Sequence, residues 1–599
     1  MLRFQMEEES KDSEMSETVE SQEPATEVVD SRSNLLFSSE DFKIEVQNLP
    51  RFCGHSQLKK LFSHKLKLNF HKLKPCGPKA NWMYICFKNE EDKEKAIGVI
   101  DGFVYKGSKL RAKSSSKQKD PFQKRTEEMK RSETADDRPV EERLRSAVCP
   151  LAGDSYETQL SRKQSEVQAL VKRLGSEVSR SHDVLRQWVR SRTKECETIA
   201  PVSNFVRSPS VTGYRNKCEF SIGHMTVPGE VERRVTVGFR LSSYKSGSVD
   251  VVSLSSLEDI STTLPHISDR MVSVVCKLEQ YVRASGVPPY CSLERTGNWR
   301  SVMIRTSRGA NTDSVGSYQD NIKEMMVVVT CDPMDLSTET TERLRSELTQ
   351  LFSEESGVTS LYLHLAPARK EAGQSEPAPS LLSGSACIQE TLLARQFSIS
   401  PQAFFQVNTP AAEILYKLAG DAADLNSKTT LVDVCCGTGT IGLCLSDQVK
   451  NVVGVDIVPE AIRDAQKNAE LNGVTNCKYF TGKAEDILHN ILRDIDNRDI
   501  VAIVDPPRAG LHQKALSAIR NTLAIKKLVY ISCDAKNAMK NFVDLSRPPS
   551  KSAKGDPFLP MKIIPVDLFP HTRGFELIIF FERVTWGDIL NTEIAQRIR

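Results

Sequence analysis

Nowhere in the 599 residues does an apolar run approach the ~20 residues needed to cross a bilayer. The opening stretch, MLRFQMEEESKDSE, lacks the apolar segment of a secretory signal, and its acids do not suit a mitochondrial transit peptide. The fifteen cysteines include no CxxC pair and no zinc-type spacing, so no metal site and no metal cluster are expected. Without a secretion signal, the cysteines read as reduced thiols, and the expected location is cytosol or nucleus, neither secreted nor in a membrane. At this length a single core is excluded, and several units are expected.

What is present is unevenly charged. The net charge of +3 hides eleven acids against three bases in residues 1–40, then twenty-one Lys/Arg against ten acids in 41–130. A basic block of that size points to a polyanion partner, unless it is only a solvated surface. Residues 1–40 are Ser/Glu-rich with few aromatics and are expected to be a disordered acidic tail. FKIEVQNLP, HSQLKKLFSHKL, NWMYICFK, NEEDKEKAIGVIDG and SKLRAKSS then alternate strand and helix in a βαββαβ order. Over 41–115 that order resembles an RNA-recognition motif. Residues 116–195 read as a charged linker that becomes helical. Stretches such as CEFSIG and RRVTVGFRL predict a β-rich middle domain over 196–395, with RNA contacts. From 396 to 599 strands and helices alternate, which predicts an α/β, Rossmann-like doubly wound sheet.

In that last domain, TTLVDVCCGTGTIGLCLSD reads as strand, glycine turn and helix. Gly437, Gly439 and Gly442 fit GxGxxG, and Asp456 ends the next strand nineteen residues after Gly437. Such glycines let the backbone approach a ligand, and a carboxylate at that distance suits a ribose. NAD and S-adenosylmethionine both fit, and so does a tight turn with no ligand. The fourth strand, DIVAIVDPPRAGL, favours adenosylmethionine, because Asp505 followed by Pro506 and Pro507 makes a stiff non-helical turn at the cofactor edge. The final hairpin, MKIIPVDLFP with FELIIFFERV, points the same way.

Cys533 ends the fifth strand in KKLVYISCDAKNAMKNF, one strand along from Asp505, and Glu576 begins the last strand after PHTRGF. A thiol, an acid and a methyl donor on one rim form a coherent set. Carbon 5 of uracil is a poor nucleophile until a thiolate adds to carbon 6. A base must then take the carbon-5 proton so that the thiol can leave. A free thiol has a pKa of about 8.5, so local lowering is expected, from Arg508 or from the helix start after Cys533. Taken alone, Cys533 would read as a structural residue.

The segments SPQAFFQVNT, DVCCGTGTIG, VDPPRAGLH, YISCDAKNA and DLFPHTRGFE resemble, in order, the motifs of the RNA uracil-5-methyltransferase family. GYRNKCEFSIG and VGFRLSSYKSG extend the likeness into the middle domain. The resemblance implies Cys533 as nucleophile and Glu576 as proton acceptor. It implies contacts of Gln406, Gly437, Gly439, Asp456 and Asp505 with S-adenosyl-L-methionine or the target base. It also implies a tRNA substrate, at the T-loop uridine (tRNA position 54), with other uridine-containing RNA as further partners. Two departures stand out: Gly574 replaces a histidine usual two residues before the catalytic Glu, and Arg573 stands where Pro or Gly is common. Cys435 and Cys436 are expected to be packing residues. The rival class is a non-catalytic RNA-binding or RNA-folding protein with a vestigial methyltransferase domain.

For RNA contact, Trp82, Tyr84 and Phe87 match the three aromatic positions of the RNP1 pattern, with Trp82 and Tyr84 expected to project. Glu45 stands where the first strand usually has an aromatic, so stacking is expected to be reduced and a protein-binding motif stays open. Six lysines, from Lys59 to Lys74, suit phosphates. In the middle domain, Tyr214, Arg215 and Lys217 are expected to touch RNA, although a structural hairpin would explain them too.

Overall fold

The computed structural model describes residues 42–50, 54–75, 81–115, 138–226, 233–241, 250–292, 294–310, 317–353, 357–368, 377–493, 499–551 and 554–590. The acidic tail expected over 1–40 and the charged stretch 116–137 lie outside them. The chain divides into two compact units, 1–131 and 132–599.

In the first unit, β1 (Lys43–Gln47), α1 (His55–Lys60), β2 (Lys72–Pro75), β3 (Met83–Cys86), α2 (Glu90–Ile100) and β4 (Arg111–Ser114) follow one another. They form a four-stranded antiparallel sheet of order β2-β3-β1-β4. Alternation decides its faces: Ile44, Val46, Met83 and Ile85 are buried beneath the helices with Phe62, Phe87 and Ala96. The Asn89 side chain caps α2 by accepting from Asp92 N at 2.8 Å, and three acids fill the first turn.

The second unit opens with α3 (Val140–Val148), α4 (Tyr156–Ser181) and α5 (Asp183–Cys196). The helical part of the expected 116–195 linker segment is therefore no free spacer. Val167, Leu170, Leu174 and Val178 recur at helical spacing along α4 and enter the core of the C-terminal sheet. Leu174 is fully buried, and truncating such a residue to Ala typically costs about 2–5 kcal/mol.

A seven-stranded sheet follows: β5 (Lys217–Met225), β6 (Arg234–Arg240), β7 (Val251–Ser253), β8 (Trp299–Ser307), β9 (Glu324–Cys331), β10 (Ser360–Leu365) and β11 (Ser380–Gly384). Its order is β11-β10-β9-β8-β5-β6-β7, parallel only between β9 and β10. The region is not purely β, since α6 (Asp269–Ala284) and α7 (Thr338–Leu351) bury Val275, Leu278, Leu344 and Leu348 against it.

The hairpin β12 (Ile388–Leu392) and β13 (Arg395–Ile399) leads to α8 (Thr409–Ala423) and then to the last sheet. That sheet contains β14 (Thr430–Val434), α9 (Thr440–Leu445), β15 (Asn451–Asp456), α10 (Pro459–Leu471), β16 (Cys477–Thr481) and α11 (Ala484–Arg493). It is completed by β17 (Ile500–Val504), α12 (Gln513–Asn521), β18 (Ile525–Ser532), α13 (Ala535–Ser546), β19 (Phe558–Val566) and β20 (Glu576–Arg583). The order is β16-β15-β14-β17-β18-β20-β19, parallel from β16 to β18, with β20 antiparallel to both its neighbours. This is the expected Rossmann-like α/β sheet, closed by a hairpin. Parallel strands covered on both faces read as continuous apolar runs, and IVAIV in β17 is such a run. Its residues alternate between two cores: Ile500, Ala502 and Val504 face α4 and α11–α13, while Val501 and Ile503 face α8–α10. In such a sheet ligands sit at the carboxyl ends of the strands, where order reverses. Here that point lies between β14 and β17.

Candidate active site

A cavity of about 1150 Å³ opens at those strand ends. It gathers Gln406, Gly437, Asp456, Asp505, Cys533 and Glu576, which the sequence had scattered over 171 positions. Gly439 is the exception and does not line the cavity, although Thr438 and Thr440 on either side of it do.

The glycine turn leaves β14 through left-handed backbone, with φ 65° at Cys435, 54° at Gly437 and 78° at Gly439. At Gly439 a Cβ would stand 2.8 Å from the Tyr479 hydroxyl, so only glycine fits. At Gly437 a Cβ would meet nothing within 4 Å, which leaves the backbone open towards the cavity. Asp456 ties the turn to the next strand, because its Oδ2 accepts from Gly437 N and its Oδ1 from Val458 N, both at 2.9 Å. Cys436 is buried as expected for a packing residue. Cys435 is only half-buried and lines the cavity, where burial and then the Asp456 charge push its thiol up to about 12.

Asp505 and Glu576 line the cavity, and the charge of Asp505 acts on both Glu576 and the fully buried Asp433. Burial pushes Asp433 up to about 7, and its Oδ2 accepts from Gly442 N at 3.0 Å. Burial likewise raises Asp505 to about 7, and Gln406 Nε2 lies 3.4 Å from its Oδ2. Glu576 is 3% exposed, and burial followed by the charge of Asp505 raises it well above the usual carboxylate range. Its Oε2 is buried without a hydrogen-bond partner among the described residues. An unpaired buried carboxyl oxygen is costly, and in a reactive cavity it is free to take a proton.

Cys533 is exposed at the cavity rim. The surrounding protein withdraws part of its water, and with the Glu576 and Asp505 charges this pushes the thiol up to about 11. Arg508 opposes the rise without overcoming it. The local lowering expected from Arg508 is therefore outweighed in the free protein, for reasons no linear reading shows: burial by the surrounding fold first, and then two carboxylates on other strands.

The residues expected to touch RNA separate sharply. Tyr214 is a correction. It is fully buried, and its hydroxyl donates to Pro570 O at 3.0 Å, so it has no surface to offer a nucleic acid. Asn216 is a second strut, donating to Gln406 O at 2.8 Å and to Thr409 Oγ1 at 2.9 Å. Arg215 lines the cavity, whereas Lys217 is half-buried at the start of β5 and does not. Burial, then the charges of Arg305 and Arg215, pulls Lys217 down to about 8. In the first unit, Trp82 and Tyr84 are half-buried and meet edge-to-face, 5.2 Å between centroids. Glu45 pairs with Tyr84 across the strands and reaches Lys113 at 3.5 Å, while Lys43 Nζ lies 4.6 Å over the Tyr84 ring. Phe87 is buried.

Two residues at the site escaped the sequence reading. Phe404 is 66% exposed and lines the cavity, while its neighbour Phe405 is buried; the paired aromatics before a helix were the available signal. Arg305 is buried without a carboxylate partner among the described residues, donating through Nη2 to Ala403 O at 2.6 Å while Nε and Nη1 lack partners. Nothing in a strand sequence distinguishes such an arginine from an exposed one. Among the described residues no group of side chains could hold a metal ion, and no helix is long and apolar enough to cross a membrane.

The chain is similar to known proteins in sequence and in fold. Residues 388–576 match the family model for tRNA (Uracil-5-)-methyltransferase. The chain is 37% identical over 559 residues to human tRNA (uracil-5-)-methyltransferase homolog A, covering 92% of this chain and 84% of that protein. It is 35% identical over 493 residues to the mouse homolog B, covering 80% of this chain and 93% of that protein. Among solved structures, the Pyrococcus abyssi tRNA (uracil-54, C5)-methyltransferase in complex with S-adenosyl-L-homocysteine is similar at 20% identity and a TM-score of 0.48, over 72% of this chain and 85% of that one. With S-adenosylmethionine as the family's cofactor, the open backbone at Gly437 and the carboxylate of Asp456 fit a ligand of that kind. The chain belongs to the tRNA (uracil-5-)-methyltransferase family.

Proposed function

We propose that this chain converts a uridine in the T loop of tRNA to 5-methyluridine through a covalent adduct between Cys533 and carbon 6 of the base. One observation carries the reading: a single cavity holds an accessible thiol, a buried carboxyl with a free oxygen, and a glycine turn open to a ligand. S-Adenosylmethionine, when bound, supplies the methyl group as an electrophile. Gly437, Gly439 and Asp456 would hold it, while Gln406 and Asp505 face the base.

Cys533 adds as thiolate to carbon 6, and the electron pair that moves to carbon 5 makes that atom the nucleophile for the methyl group. Carbon 5 then carries both a methyl group and a proton. Glu576 takes the proton at its free oxygen, the 5,6 double bond re-forms, and Cys533 leaves as thiolate. The high pKa of Glu576 suits this step, since a carboxylate destabilised by burial is a stronger base. The high pKa of the Cys533 thiol makes deprotonation a demand on the first step.

For RNA binding, Arg215 at the cavity, with Lys217 and the buried charge of Arg305 behind it, supports a phosphate or base contact beside the target nucleotide. In residues 41–115, exposed Lys59, Lys60, Lys65, Lys67 and Lys72 support phosphate contacts by an RNA-recognition motif. Trp82 and Tyr84 are the stacking candidates on its sheet.

The rival reading is a non-catalytic RNA-binding protein, and the thiol held protonated in the free protein favours it. RNA carrying 5-fluorouridine at the target separates the two, because fluorine cannot leave as a proton and the adduct persists. The wild type should form a denaturation-resistant complex and Cys533→Ala should not. Equal trapping by both proteins would remove Cys533 from the mechanism, and trapping by neither would favour the rival.

A further inference from the structure

Glu576 follows a loop, residues 567–574, that is held from the far end of the second unit. At its start Asp567 is fully buried and forms an ion pair at 2.7 Å with Lys163 of α4, which is 1% exposed. Lys163 Nζ also donates to Phe569 O at 3.0 Å. That same carbonyl accepts from Thr572 N at 3.2 Å and from Thr572 Oγ1 at 2.9 Å, and Thr572 Oγ1 in turn accepts from Gly574 N at 3.1 Å. An unbroken hydrogen-bonded series thus runs from the Lys163 ammonium to the residue two before Glu576. Phe569, Thr572, Gly574 and Glu576 all line the cavity.

The middle of the loop is held as firmly. His571 adopts φ 67°, a conformation that a residue with a Cβ rarely takes without support. Gln159, also on α4, supplies that support: its Oε1 accepts from His571 N at 2.8 Å, and its Nε2 lies 3.2 Å from His571 Nδ1. His571 Nε2 meets Val211 O at 2.8 Å, and His571 O accepts from Leu151 N at 3.0 Å. Tyr214 adds its hydroxyl to Pro570 O at 3.0 Å. A buried ion pair is weak evidence for stability, because desolvating both charges offsets most of their attraction. A buried pair that also fixes a backbone carbonyl beside a reactive group asks for another role.

We propose that Lys163, with Gln159 and Tyr214, forms a clamp of positioning residues that sets Glu576 for removal of the carbon-5 proton. The inference rests on the reading of Glu576 as the base. The clamp residues lie outside the segment 388–576 that matches the family model and touch none of the reacting atoms. Loosening the loop shifts the carboxylate by a fraction of an ångström to an ångström, and a shift of that size can slow a step by up to about a hundredfold. Only the proton step, after methyl transfer, depends on Glu576, so the methylated adduct should build up while addition by Cys533 continues.

The test uses the full chain, unmodified tRNA transcript and adenosylmethionine labelled in the methyl group. Lys163→Met/Asp567→Leu removes both charges together, leaving no unpaired buried ion but removing the one donor to Phe569 O that comes from outside the loop. It should lower kcat on the order of tenfold with KM for tRNA and cofactor changed by less than about threefold, and should accumulate a denaturation-resistant labelled complex. Tyr214→Phe removes one donor and no volume, and should do the same with a loss of about fivefold, the size of one hydrogen bond. It decides the matter if the double variant does not fold. A lowered melting temperature with all kinetic steps reduced together, or product release at the wild-type rate in Tyr214→Phe, would overturn the clamp. Wild-type protein that forms no adduct with 5-fluorouridine RNA would instead overturn the reading beneath it.

Discussion

Alkylation of Cys533 reads the electrostatics of the site with no substrate present. It is exposed, whereas the other free cysteines among the described residues are buried or half-buried, so a small reagent such as iodoacetamide has access to it. Burial of its surroundings, then Glu576 and Asp505, holds the thiol at about 11. A free cysteine has a pKa of about 8.5, so at pH 8 about a quarter of it is thiolate, against about one part in a thousand for a pKa of about 11. Cys533 should therefore alkylate on the order of a hundredfold more slowly than a model thiol at pH 8. The sign follows directly: below its pKa the thiolate fraction rises with pH, so the rate should climb about tenfold per unit from pH 7 to pH 10. Glu576→Gln removes a nearby negative charge and should speed the reaction, while Arg508→Met removes the opposing cation and should slow it. Timed alkylation with peptide mass spectrometry at Cys533 measures each rate. A plateau below pH 9 would refute the reasoning, because the thiol would then be activated before any substrate arrives.

Glu576→Gln should still transfer the methyl group yet accumulate labelled adduct on a denaturing gel; full turnover with no trapped species would assign the proton to another base. Asp505→Asn should raise the melting temperature more at pH 8 than at pH 5. The Asp505 carboxyl is raised to about 7 in the fold, so the stability it lends is complete below its unfolded pKa of about 3.9 and is lost as pH rises through 7. Equal gains at both pH values would contradict this. Deleting residues 41–115 should weaken tRNA binding and flatten its salt dependence by about 0.7–0.9 per lost phosphate contact, leaving turnover at saturating tRNA nearly unchanged. An unaltered slope would mean that this segment binds something else. Gly439→Ala puts a Cβ against the Tyr479 hydroxyl and should weaken adenosylmethionine binding by calorimetry; unchanged affinity would show that the turn can yield.

The last sheet was legible because its signals are local. Apolar runs such as IVAIV, the glycine turn and the Asp505-Pro-Pro corner each state a strand, a bend and a rim position within a dozen residues. What joins them is not local. The ammonium of Lys163 meets Asp567 across 404 positions, and no periodicity announces such a pair. The helix that carries it shows an apolar stripe in sequence, but a stripe does not say which sheet it covers. Tyr214 was misread for a related reason. An aromatic beside two cations suggests nucleic acid, yet the irregular segment before β5 buries the ring completely, and a buried carbonyl satisfies its hydroxyl. The raised thiol of Cys533 was likewise hidden, since it depends first on burial by the surrounding fold and then on carboxyl groups from β20 and from the end of β17.

The central claim is methyl transfer to carbon 5 of a tRNA uridine, and one measurement meets it directly. Purified full-length protein is incubated with methyl-labelled adenosylmethionine and unmodified tRNA transcript, and the labelled nucleoside is identified and mapped. The account predicts 5-methyluridine at a single T-loop uridine, lost in Cys533→Ala. Label on another base, or none from a protein that binds both tRNA and adenosylmethionine, would contradict it.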